Sequence, residues 1–216
     1  MNPKTTLLVC LLLAAVNVPA AVDFTQTFTP ADGTIPEGNP VPEDFAGAIT
    51  AAGSDQTVLS LSVSLNVTGG YDGDLTAFLV SPNNTRVTLL DQPGRLINGF
   101  GAGGAGLNVT LTDLAVKNIQ DEISHQVLTG TFLPAQSLRN FENSPVNGTW
   151  RLFFADLGSG AGNATLNSWS LEIESVPEPG NYRAALLVAM MLVLSGWRSV
   201  WRKVASRAPF HITRLK

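Results

Sequence analysis

Apolar and polar residues alternate most regularly between Leu59 and Val67. Leu59, Leu61, Val63, Leu65 and Val67 share one phase, and Ser60, Ser62, Ser64 and Asn66 the other. A period of two sends successive side chains to opposite faces, so this stretch predicts a half-buried β-strand. Gly69 and Gly70 open a turn, Asp72-Gly73-Asp74 follows, and Leu75 to Val80 predicts a second strand before Ser81-Pro82-Asn83-Asn84-Thr85 turns the chain again. Thr85 to Leu90 continues as a strand, and the same period returns at Val109 and Leu111, at Trp150, Leu152 and Phe154, and at Trp169, Leu171 and Ile173. Val22, Phe24 and Phe28 suggest an edge strand, the prolines at Pro36, Pro40 and Pro42 confine the next passage to loop or edge, and Gly47 to Thr50 predicts a short strand. The region from Asp113 to Leu128 has room for a short helical or irregular turn. Gly99 to Gly106 holds five glycines in eight residues and predicts a flexible surface loop; with no Lys-Ser/Thr pair and no helix pattern after it, it is not a phosphate loop.

At 216 residues, this all-β pattern fits one ordinary domain. Charge changes the picture more. The formal net charge is −4, yet all 17 acidic residues lie between Asp23 and Glu178, where the only basic residues are Arg86, Arg95, Lys117, Arg139 and Arg151. Five cations against seventeen acids leave that segment at −12, which repels nucleic acid and favours divalent cations or basic partners. Beyond Pro179 there are seven Lys or Arg and no acid.

Both ends read as export signals. Lys4, the apolar run from Leu7 to Val16, and Val18-Pro19-Ala20 form a secretory signal peptide over residues 1–20, with cleavage after Ala20; the run is short for a transmembrane anchor. The only cysteine, Cys10, lies inside that run, so the mature domain has no disulfide. At the other end, Val176-Pro177-Glu178-Pro179-Gly180 is followed by an apolar run from Ala184 to Trp197 and then by Arg198, Arg202 and Lys203.

Two families are resembled. The strand followed by Gly73-Asp74-Leu75, a second strand and Ser81-Pro82-Asn83-Asn84-Thr85 resembles the P domain, or Homo B domain, of proprotein convertases and other subtilases. Gly130-Thr131-Phe132-Leu133-Pro134 with Leu138, Asn147-Gly148-Thr149-Trp150-Arg151-Leu152 and Leu166-Asn167-Ser168-Trp169-Ser170-Leu171 extend the resemblance. It implies an antiparallel β-sandwich of jelly-roll, galactose-binding-domain-like type over residues 21–175, normally attached to a serine endopeptidase. Many members have a histidine just before the Gly-Asp-Leu turn, where this chain has Thr68-Gly69-Gly70-Tyr71. Pro177, Glu178 and Pro179, with a transmembrane helix over about 184–197 and the basic cluster after it, resemble a PEP-CTERM sorting signal over 176–203; residues 204–216 form a basic tail. That resemblance implies export across the inner membrane of a Gram-negative bacterium, transient anchoring with the basic cluster cytoplasmic, processing by an exosortase, and a place at the cell surface or in the extracellular matrix. A plain C-terminal anchor is the alternative.

Candidate chemistry is sparse. His125 and His211 are the only histidines, and neither a Gly-x-Ser-x-Gly elbow nor a subtilase Gly-Thr-Ser motif occurs, so no enzyme is expected. Asp72 and Asp74 stand two apart on a turn, which suits a hard cation better than the opposed acids of a glycosidase. With Asp91, Asp113 and Asp156 they lie near predicted strand ends, where loops of a sandwich could gather them around Ca²⁺; a merely solvated acidic surface fits the same pattern. Trp150 and Trp169 fall on apolar strand phases, which favours core packing over sugar stacking. Five Asn-x-Thr triplets, at Asn66, Asn83, Asn108, Asn147 and Asn163, match the glycosylation pattern but are common in an Asn- and Thr-rich β protein. The expected function is that of an exported, non-catalytic module binding an extracellular polysaccharide or a surface protein. The alternative is an accessory to a separately encoded subtilase.

Overall fold

A computed structural model describes residues 22–37, 43–49, 56–158, 162–177 and 190–191. The chain divides into two units, Met1–Pro177 and Glu178–Lys216. Among its described residues the first holds nine strands, β1 (Val22–Phe28), β2 (Glu43–Ile49), β3 (Gln56–Thr68), β4 (Leu75–Val80), β5 (Arg86–Asp91), β6 (Gly106–Leu111), β7 (Leu128–Phe132), β8 (Gly148–Asp156) and β9 (Thr165–Pro177), with one short helix, α1 (Arg95–Asn98). They form a five-stranded sheet in the order β1, β9, β3, β6, β7 and a four-stranded sheet in the order β2, β8, β4, β5. All pairs are antiparallel except β6 with β7. A parallel pair needs a long return path, which the irregular passage between Leu111 and Leu128 supplies, including a 3-10 turn at Ile119–Asp121. Of the second unit, only Met190 and Met191 are described; both are helical and exposed. The expected signal peptide lies outside the described residues, as does the expected membrane helix apart from those two. Among the described residues no helix is long and apolar enough to cross a membrane.

The all-β expectation holds, and the alternation explains it. In β3 the residues Leu61, Val63, Leu65 and Val67 are buried while their neighbours face outward. Leu59 departs from the pattern: it is 44% exposed, because a register shift between Val58 and Ser60 inserts one residue and gives its inward place to Val58. β2 begins earlier than the expected Gly47, at Glu43, and β9 runs two residues past the expected boundary at 175.

The two sheets close on one core. Trp150, Leu152 and Phe154 of β8 face Trp169, Leu171 and Ile173 of β9 and the inward residues of β3, β4 and β6, all within a single buried cluster. Trp150 is fully buried, sets its ring edge-on to Phe141 at 5.3 Å, and donates from Nε1 to the Val146 carbonyl at 3.0 Å. Its apolar bulk and its one polar atom are both satisfied. At the edge formed by β1 and β2, the Phe28 ring packs on Trp169 at 4.4 Å and sits where a side chain at Gly47 would be, 2.3 Å from an added Cβ. On the outer face of the four-stranded sheet Phe78 and Phe153 stack at 4.7 Å, with the Arg86 guanidinium over Phe78 at 3.7 Å and that of Arg151 over Phe153 at 5.0 Å.

Trp150→Ala is expected to destabilise the domain by about 3 to 5 kcal/mol, the usual cost of emptying a large aromatic site that cannot collapse. Denaturant unfolding at matched slope measures it, and a near-neutral result would mean that the indole is not a core group.

Candidate functional site

The polar chemistry of the sandwich collects at the end where β3 turns into β4. Gly69 and Gly70, both at positive φ, swing the chain into a 3-10 turn at Asp72–Asp74. The glycine-rich segment expected to be a flexible surface loop is instead packed beneath this turn. Gly104 and Ala102 accept backbone hydrogen bonds from Asp72 and Gly73 at 3.0 and 2.8 Å, and Gly101, Ala102, Gly104 and Gly106 are buried. The reason is a backbone crossing: a Cβ on Gly73 would lie 2.7 Å from the Gly101 Cα, so neither position has room for a side chain.

Asp72 is wholly buried at this crossing. Its Oδ1 accepts from the Gly106 N–H at 2.8 Å, and its Oδ2 has no partner. That orphaned oxygen and the Gln126 carbonyl both border the space beside Gly104, where an added Cβ would lie 2.4 and 2.2 Å from them. Burial pushes the Asp72 carboxyl up to about 7, with the Gly106 hydrogen bond pulling the other way.

Asp74 and Asp156 meet beside it. Pairing of β4 with β8 sets Leu75 opposite Asp156, and Leu157 N–H donates to the Asp74 carbonyl at 2.9 Å. Asp156 N–H donates to the Pro36 carbonyl at 3.2 Å, which brings Glu37 alongside. Gly158 N–H donates to Asp156 Oδ1 at 3.1 Å, and a Cβ at Gly158 would lie 2.0 Å from Asp74 Oδ2. Asp156 Oδ2 is buried and unpartnered. Its carboxyl is raised by burial first and then by the charges of Asp74 and Glu37, against the Gly158 bond. That of Asp74 is raised by burial, with Arg95, 3.8 Å away, opposing.

The five aspartates singled out in the sequence therefore divide. Asp74 and Asp156 share one locus, and Asp72 sits under the glycine-rich loop. Asp91 lies at the same end, exposed on β5, with its backbone bonded on both sides to the Gln120 amide at 3.1 and 2.6 Å. Asp113 follows β6 at the opposite end, where it accepts from Ser137 Oγ and from the Leu138 and Arg139 N–H groups at 2.8, 3.1 and 2.9 Å, capping the 3-10 turn at Leu138–Phe141. Among the described residues no three His, Cys, Asp or Glu side chains converge closely enough to hold a metal by themselves. Glu37 and Arg95 were not singled out in the sequence; Glu37 lies in a proline-rich passage with no strand period, and only its long-range bridge to Asp156 reveals it. Pro177 ends β9, and Glu178 and Pro179 lie outside the described residues. His125 is exposed with its ring against Gly103, and no hydroxyl or thiol bonds to it among the described residues.

A carboxyl whose folded pKa is raised binds more protons folded than unfolded, so its burial penalty grows as pH rises from about 4 through about 7. Asp72→Asn keeps an acceptor for Gly106 and places an amide donor facing the Gln126 carbonyl. It is expected to raise the melting temperature at pH 8 and to change it little at pH 4, read by calorimetry in chelator. Equal shifts at both pH values would mean that Asp72 ionises without penalty.

The model for the proprotein convertase P-domain matches residues 58–173, more than half of the chain. No curated protein matches the sequence. Among solved structures, the Aeromonas sobria serine protease in complex with a chaperone is similar over 79% of this chain and 29% of its own, at 18% identity and a TM-score of 0.47. The same protease solved alone is similar over 76% and 29%, at 20% identity and a TM-score of 0.44. The protein FLHE is similar over 74% of this chain and all of its own, at 13% identity and a TM-score of 0.39. The chain thus spans less than a third of the length of the protease chains it resembles. With its Gly-Asp-Leu turn at the head of β4 and its two tryptophan strands closing the core, this chain belongs to the proprotein convertase P-domain family.

Proposed function

We propose that the protein is an exported, non-catalytic P-domain module that binds an extracellular polysaccharide or a surface protein. The observation that carries this reading is the family match itself, since P domains are accessory, non-catalytic domains of serine proteases. The −12 segment and the acidic end favour a partner with basic groups or a bridging cation. The second reading is an accessory to a separately encoded serine endopeptidase, favoured by the family's ordinary setting. Export, exosortase processing at Pro177-Glu178-Pro179 and transient anchoring by residues 184–197 complete the proposal. Tagged protein recovered from the secreted fraction is expected to bring down polysaccharide or a surface protein. Recovery of a subtilase in stoichiometric amount would favour the second reading, and recovery of nothing above a tag control would sink both.

Calcium belongs to the same proposal. The buried, unpartnered Asp156 Oδ2, with Asp74 and Glu37 beside it, is the kind of oxygen set that a hard cation completes with loop carbonyls and water. Bound there, the ion would offset the charge of Asp74 and Asp156, whose carboxyls burial raises, and tie the turn after β3 to the end of β8. Stability is expected to rise with free calcium as RT ln(1 + [L]/Kd), about 2.7 kcal/mol at a hundredfold excess over Kd, and magnesium is expected to do much less. In Asp74→Asn with Asp156→Asn most of the calcium-dependent rise in Tm should vanish. If wild type and double variant melt alike with and without chelator, the acidic end is only a solvated surface.

A further inference from the structure

At the acidic end the loop that leads into the buried glycines carries an apolar surface. On α1 and just after it, Leu96, Ile97 and Phe100 are 93%, 58% and 77% exposed. Residues 122–127 run beside this loop, with the Gly103 N–H donating to the Ser124 carbonyl at 2.8 Å, and add Ile123 and Val127, both exposed. Single apolar side chains scattered over a surface are ordinary, but five on two neighbouring loops mark a place of contact.

The loop is held in this shape by its own bonds. Gly94 and Gly99 take positive φ on either side of α1, and Asn98 Oδ1 accepts from the Phe100 and Gly101 N–H groups at 2.8 and 2.6 Å. The Ala102 N–H donates to the Pro93 carbonyl at 2.8 Å and closes the base. Each backbone N–H of residues 97–103 donates within the domain. A partner strand would find no free ladder to extend here, whereas a helix satisfies its own backbone and needs side-chain contact alone.

Charge selects among the partners that could cover the patch. Asp91 and Asp121 are exposed and Glu122 is half-buried, and the bond from the Gly94 N–H to the Gln120 carbonyl at 2.9 Å sets the last two against the base of the loop. Arg95 is the only Lys or Arg in residues 93–106 and 118–127, and it is engaged with Asp74 at 3.8 Å. An anionic bilayer and a second copy of this face would both bring like charge to these acids. A polysaccharide presents hydroxyls, which aliphatic side chains would desolvate without pairing. The chemistry that fits is an apolar stripe flanked by ammonium or guanidinium groups.

We propose that this surface receives an amphipathic basic helix of a partner protein, its apolar face laid on Leu96, Ile97 and Phe100 and its cations meeting Asp91, Asp121 and Glu122. The proposal rests on the reading of the domain as a binding module and narrows its partner to a protein bearing such a helix.

The test titrates the full-length protein by calorimetry with a synthetic helical peptide of leucine and lysine patterned to give one apolar face. Controls are the same composition scrambled so that no face forms, and the patterned peptide with glutamate in place of lysine. The patterned basic peptide should bind saturably and at least tenfold more tightly than either control. Leu96→Ser with Phe100→Ser, two exposed changes that should leave the melting temperature unmoved, should weaken it at least tenfold. Asp91→Asn with Asp121→Asn should weaken it severalfold and flatten its dependence on salt. Equal binding of patterned and scrambled peptides, no saturable binding, or binding untouched by the Leu96 and Phe100 changes would overturn the proposal. Binding to phosphatidylglycerol vesicles that those changes abolish would overturn the protein partner in favour of a bilayer, and a dimer that they dissociate would do so in favour of a second copy. A surface partner recovered from the secreted fraction equally well by wild type and by the Leu96 and Phe100 variant would leave the module reading standing and remove this surface from it. Peptide binding that depends on Leu96 and Phe100, with no partner recovered, would uphold the surface and count against the module reading.

Discussion

The sandwich depends on the pairing of β3 with β9. These are its two longest strands, they run antiparallel from Gln56 opposite Pro177 to Thr68 opposite Thr165, and they form the middle of the five-stranded sheet. Among the described residues β1 joins this sheet only through β9, and β6 with β7 only through β3. The same ladder aims Val63, Leu65, Trp169 and Leu171 into the core against β8 and β4. Its far end delivers the chain to Gly69 and Gly70, and so positions the Asp72–Asp74 turn. A fault in this register would flip the core face of β3 outward and move the acidic turn with it, because side chains alternate with a period of two.

Much of this was legible in the sequence, and the limits have physical causes. Alternation located the inward residues of β3, β6, β8 and β9, because a sheet with one buried face imposes that period on whatever sequence forms it. It misplaced Leu59, since a bulge leaves no mark in composition. The glycines from Gly99 to Gly106 read as a mobile loop when only their local freedom was considered; their need is a backbone crossing with Gly73, a long-range contact that a local reading cannot contain. Asp113 looked equivalent to Asp74 by its place at a strand end, yet β6 runs away from the acidic end and Asp113 became a cap. Gly47 and Phe28 gave no hint of each other, although one is absent so that the other fits.

The electrostatics follow from scarcity. Among the described residues three ion pairs form, Arg95 with Asp74, Arg139 with Glu142 and Arg151 with Asp44, and each leaves acids elsewhere unbalanced. At the acidic end that imbalance is expressed internally, as carboxyls pushed toward protonation by burial. At the β1–β2 edge Arg151 holds Asp44, and Asp32 stays exposed without a cation.

The stack of Arg86, Phe78, Phe153 and Arg151 bears on how concentrated solutions of this protein behave. Two phenyl rings on the outward face of a sheet would invite a second sheet to settle on them, and the guanidinium lids at both ends of the stack deny it a flat apolar landing. Repulsion between bodies of strong negative charge fades within about 8 Å at physiological salt. Contacts between a guanidinium and a ring at van der Waals range are far less screened. What keeps two such faces from stacking is therefore less sensitive to salt than the repulsion that net charge provides.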